Sequence, residues 1–87
     1  MTALARNIDA RREGIVKVVK EDEGIVVVSL GRADDIQADT IFTVKKNYEE
    51  IATLTVLEIR DVMTACKIKE VSPGNKIEVN DPVLART

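Results

Sequence analysis

At 87 residues the chain is one domain, large enough to fold alone but with little margin. A net charge of −2 supplies no global basic field for nucleic acid or anionic lipid. One cysteine and no histidine exclude an internal disulfide, a haem attachment and a Cys/His zinc site. Apolar content is 45%, yet Phe42 and Tyr48 are the only aromatics, so the core must come from Val, Ile and Leu, which suit strands.

In chain order, residues 1–13 read as a short helical segment. Leu4 and Ile8 sit one turn apart among polar neighbours, and Gly14 ends the pattern. The segment lacks the apolar run of a signal peptide, and no stretch is long enough to span a bilayer, so the chain as given reads as soluble. From Gly14 the period becomes two. Ile15–Lys20 is a strand, Glu21–Gly24 a tight turn, and Ile25–Leu30 the returning strand. Gly31–Ala38 is a loop or one helical turn, and Thr40–Lys46 is a third strand ended by Asn47. The order then recurs: Ile51–Arg60, a turn at Asp61-Val62, Met63–Val71, a loop at Ser72–Gly74, then Lys76–Val79 and Pro82–Ala85.

That recurrence is visible residue by residue. At an offset of 41, Val16 meets Leu57, Val18 meets Ile59, Ile25 meets Cys66, Val27 meets Ile68, Ile36 meets Ile77 and Phe42 meets Val83. An internal repeat fixes architecture. The expectation is an all-β fold: a six-stranded barrel of pseudo-two-fold symmetry, residues 14–86, built from half-repeats 14–46 and 51–86.

Matching parity across the repeat assigns Val16, Val18, Ile25, Val27, Leu57, Ile59, Cys66 and Ile68 to the barrel interior. The opposite face then carries lysines and glutamates together with Ile15, Val19, Val26, Val28, Leu54 and Val56. An outward apolar set of that size marks an interaction site. With Leu4 and Ile8 from the N-terminal segment, and with the sheet edges, it is the candidate interface. A flattened barrel whose bulges carry some of these residues inward is the alternative.

Catalytic signals are weak. Ser29 and Ser72 lack a nucleophile-elbow context, and the commonest general base is absent. Gly14, Gly24, Gly31 and Gly74 are scattered at element boundaries rather than gathered in a phosphate loop. Asp34, Asp35 and Asp39 do not follow calcium-loop spacing, and Glu21-Asp22-Glu23 and Glu49-Glu50 read as solvated charge runs. Neither a metal nor an organic cofactor is expected. Lys45, Lys46, Lys67 and Lys69 form an alternative site, a lysine face for a polyanion or ligand, although stacking aromatics for nucleic acid are lacking.

Gly14-Ile-Val-Lys-Val-Val, Gly24-Ile-Val-Val-Val-Ser-Leu-Gly31, Asp39-Thr-Ile-Phe42-Thr-Val44 and Ile77-Glu-Val-Asn80-Asp81-Pro-Val83 together resemble the C-terminal barrel domain of a flagellar assembly protein. That domain recurs in bacterial envelope proteins, and the likeness spans about residues 13–85. The resemblance implies a non-enzymatic interaction domain with the periplasm or envelope as its compartment, the cytoplasm being the alternative if the chain is full length as given. With the outward apolar set, the expectation is an adaptor or assembly factor that self-associates and docks on a larger bacterial complex. Family members carry a Gly-Asp turn before the third and last strands. Here Ala38 and Asn80 take the Gly place; Asn tolerates positive φ, and Ala does so poorly.

Overall fold

The computed structural model describes residues 12–86. Six strands are assigned: β1 (Arg12–Lys20), β2 (Ile25–Val28), β3 (Ile41–Lys46), β4 (Glu49–Ile59), β5 (Thr64–Val71) and β6 (Pro82–Arg86). All pair antiparallel, in the order β1-β2-β5-β4-β3-β6, and β6 returns to β1 to close a barrel. Among the described residues every strand therefore has two neighbours, and the barrel has no free edge. The expected sheet-edge contacts have no place to form.

Turn chemistry matches the sequence in most places. A single 3₁₀ turn, Glu21–Glu23, joins β1 to β2 and ends on Gly24 at φ 68, which glycine adopts without strain. Ser72–Asn75 closes with Pro73 and Gly74 in the middle, Gly74 at φ 82. A second 3₁₀ turn, Arg32–Asp34, is held when the Gly31 amide donates to Asp34 Oδ2 at 3.0 Å. Asn80 adopts φ 78, whereas Ala38 stays out of the left-handed region, so its turn closes without that geometry.

Two boundaries differ from expectation. β1 starts at Arg12, so Arg12 and Glu13 pair with Ala85 and Leu84 rather than extending the helical segment. The rest of that segment, including Leu4 and Ile8, lies outside the described residues. Lys76–Val79 alternates like a strand but is a loop. Ile77 buries into the barrel while Val79 stays exposed, and the Glu78–Asp81 turn follows at once.

Side-chain direction is set by bulges. Along β1 Val16 points in; Lys17 is the extra residue opposite β2, and Lys17 and Val18 both face out before Val19 turns back toward the core. β4 repeats this: Leu54 and Val56 face in, Leu57 is the extra residue, Leu57 and Glu58 are exposed, and Ile59 packs on the core. Directly paired residues share a face. Val26, opposite Val19 and Cys66, and Val28, opposite Val16 and Thr64, therefore point inward and are fully buried. The core is Val16, Val26, Val28, Leu30, Ile36, Phe42, Val44, Ile51, Leu54, Cys66, Ile77, Val83 and Ala85, with Ala52 beside them. Two buried threonines in it are satisfied: Thr64 Oγ1 donates to the Leu30 carbonyl at 2.7 Å, and Thr40 Oγ1 accepts from the Gln37 amide at 3.0 Å.

The pairing scheme has a simple regularity. Exchange β1, β2 and β3 with β4, β5 and β6, and the six pairings are unchanged.

Candidate interaction surfaces

Closure and bulging redistribute the candidate interface. Val26, Val28 and Leu54 are fully buried, so none of the three can serve as an outward contact, and Val19 and Val56 are partly buried and pack against the core. Ile15 alone of the described set remains on the surface, at 36% exposure. Four residues assigned to the interior are instead on the outer face: Ile25 and Val27, which lie on β2 opposite Lys20 and Val18, and, on the bulged strands β1 and β4, Val18, 40% exposed, and Leu57, 53%. The cause is the same in both strands. A bulge inserts one residue and reverses parity beyond it, and a uniform offset of 41 matches Val16, which is inside, with Leu57, which is not.

The outward apolar residues fall into two surfaces. The first is a stripe across β1, β2 and β5, where Val18 lies opposite Val27 and Val27 opposite Ala65; bulged Leu57 lies on the next strand, β4. Val62 and Met63 expose themselves on the adjoining β4–β5 turn. Lys20 and Lys67, both opposite Ile25, lie to one side of the stripe, and bulged Lys17 lies to the other. Glu58, opposite Ala65, is paired to Arg60 at 2.8 Å. The turn is held firmly: Arg32 and Ala33 donate their amides to the Arg60 and Asp61 carbonyls, and Arg32 Nη1 meets Asp61 Oδ1 at 2.7 Å. Gly31 makes that docking possible, because a Cβ there would sit 2.6 Å from the Met63 amide nitrogen and against the Arg60 carbonyl.

The second surface is a groove of about 660 Å³ on the far side of the barrel, where β6 runs between β1 and β3. Ile15, Pro82, Val83 and Leu84 line it, Glu13 stands on β1 and Lys45 on β3, and the β3–β4 turn, Asn47-Tyr48, overhangs it. Sequence reading missed this groove, since it needs the β1–β6 pairing to bring residues 13–15 beside 82–84.

The four lysines of the alternative site do not converge. Lys45 and Lys46 are on β3, Lys67 and Lys69 on β5, with β4 between. Lys45 lies opposite Glu50. Lys46 is already engaged: Nζ donates to Glu78 Oε1 at 2.7 Å and to the Lys76 carbonyl at 3.0 Å, with Asp81 Oδ2 at 3.5 Å. The hydrogen bond to Glu78 holds the Lys46 amine above its ordinary pKa, and the same bond holds the Glu78 carboxyl below its own.

Cys66, Ser29 and Asp81 are taken up by the fold. Burial pushes the Cys66 thiol up to about 12, so it stays protonated at neutral pH. Ser29 Oγ accepts from the Ile15 amide at 2.9 Å, and Asp81 Oδ2 accepts from the Glu78 amide at 2.8 Å. Among the described residues no three His, Cys, Asp or Glu side chains gather to hold a metal ion, and no helix is long and apolar enough to cross a membrane. No protein-family model matches the chain, and no curated protein matches it.

Proposed function

We propose that the chain is a non-catalytic protein-interaction module that self-associates and docks on a larger bacterial protein complex as an adaptor or assembly factor. The observation that carries this reading is the combination of a closed barrel with apolar side chains left on its outside. Strand addition is unavailable to a barrel without an edge, so association has to use side-chain surfaces. Val18 and Leu57 on the stripe, and Ile15 and Tyr48 at the groove, provide two such surfaces. An adaptor needs two, one for its own copy and one for the assembly it joins.

The same reading places the chain beside the flagellar assembly barrel domain, and takes residues 14–46 and 51–86 as copies of one unit. Support for the copying comes from the exchangeable pairing scheme and from the two turns Gln37–Thr40 and Glu78–Asp81. In each, the fourth residue's amide donates to the first residue's carbonyl at 3.1 Å, and its side-chain oxygen accepts from the first residue's amide. Aligning the bulges, Lys17 on Leu57, gives an offset of 40 in the first strand, and the pairing partners then place Val28 on Cys66 and Val26 on Thr64, all fully buried.

Absolute molar mass across a dilution series, by light scattering behind a sizing column, tests the association. A multimer that dissociates on dilution is expected. A monomer at every concentration overturns self-association.

A further inference from the structure

We propose that the groove over β6 is the site at which a second copy of this chain docks, the Tyr48 ring of each copy seated in the groove of the other. The inference rests on the self-association proposed above and assigns the residues that make it.

Tyr48 is the first reason. It is 98% exposed, so its ring gains almost no burial within the barrel. Its backbone is also unusual. Asn47 and Tyr48 form the two-residue β3–β4 turn with φ of 54 and 69, a turn in which the second position is ordinarily glycine. A bulky aromatic at positive φ is a steric outlier. Glycine would relieve it, and among the described residues nothing buries the ring. Strain of this kind, held on an exposed aromatic, is a recognised starting point for a functional hypothesis.

The groove is the second reason. It offers apolar surface from Ile15, Pro82 and Leu84 beside the same turn, so knob and hole lie next to each other on one molecule. A two-fold axis then satisfies both at once, which is an isologous contact that closes at a dimer. Aromatic anchors in apolar recesses are the usual centre of such contacts.

Charge is the third reason. The rim has one residue of each sign, Glu13 on β1 and Lys45 on β3, on opposite sides of β6. A two-fold that crosses β1 of one copy over β3 of the other brings the Glu13 side of each groove over the Lys45 side of its partner, twice.

The chain has one tyrosine and no tryptophan, so tyrosine emission reports Tyr48 alone. Acrylamide quenching of that emission, measured on the full chain alongside molar mass across the dilution series, tests the assignment. The expected result is a shielded ring in the multimer that becomes freely quenchable as the mass falls to one chain. Tyr48→Gly is expected to raise the dissociation constant at least about tenfold while the far-UV spectrum is unchanged. Glu13→Lys and Lys45→Glu should each weaken association, and the double reversal should restore it. A multimer whose tyrosine stays freely quenchable overturns the docking site and leaves self-association standing. A ring shielded in the monomer means the chain covers its own groove, and also overturns it. A monomer at all concentrations with an accessible ring removes both readings. Failure of the double reversal to rescue contradicts the Glu13–Lys45 pairing and with it the two-fold.

Discussion

Leu54 and Leu57 lie three residues apart on β4 and have opposite fates, one fully buried and the other more than half exposed. Truncating Leu54 to Ala is expected to cost about 3 kcal/mol, from lost burial plus the cavity left behind. Leu57→Ala should stay within about 0.5 kcal/mol. Denaturant unfolding of the two variants checks this, and the reverse ranking would mean that β4 faces the other way. Cys66 gives a pH test. Its thiol ionises in the unfolded chain near 9.0 and in the barrel only near 12, so between those values the unfolded state binds fewer protons than the native one. The Cys66 contribution is intact below pH 9 and fades as pH rises toward 12. Comparing wild type with Cys66→Ala should show a steeper alkaline loss in the wild type, and native thiol labelling at pH 8 should be negligible. Cys66 is buried as expected, although the residue matched to it at an offset of 41, Ile25, lies on the outer face opposite Lys20 and Lys67. The direction of Val26 and Val28 could not be read from sequence, because Ile25-Val-Val-Val28 has no alternation and takes its facing from its partners Val19, Cys66, Val16 and Thr64.

At the scale of elements, the turns were legible and the strand parities were not. Gly24, Gly74 and Asn80 each occupy the positive-φ position their sequence context suggests. Bulges at Lys17, Leu57 and Lys69 carry no comparable signature; the only trace in the sequence is a pair of adjacent apolar residues, Val18-Val19 and Val56-Leu57, where strict alternation breaks. The connection from β5 to β6 imitates a strand for a similar reason, since Ile77 plugs the barrel end while its neighbours are solvated. Lys46 pins this connection through Glu78, Asp81 and the Lys76 carbonyl. Lys46→Met should therefore speed amide exchange over residues 75–80 and leave the other turns unchanged. In the wild type the Glu78 side of the clamp has a lowered pKa, so its effect is present above the ordinary carboxylate range and lost as pH falls through the depressed value. Lys46, with a raised pKa, loses its part only as pH climbs past the ordinary lysine range. Equal loop exchange in wild type and Lys46→Met would mean the ion pairs do not hold the loop.

For the whole molecule, closure matters most. The all-β architecture and its six-stranded barrel were legible in the period-two patterning; the order in which the strands pair was not. The location of the outer apolar surfaces was not, because it depends on β6 pairing with both β1 and β3, a contact that no local pattern encodes. That double pairing removes the last sheet edge, forms the floor of the groove and confines association to side chains. Backbone amide exchange at Val83, Leu84 and Ala85 therefore tests the account most directly. The prediction is protection as strong as that of Thr53 and Leu54 in β4, since β6 is paired on both sides. Exchange as fast as that of the loops would mean that β6 opens, that the barrel has a free edge, and that strand addition rather than the groove and stripe governs how the chain associates.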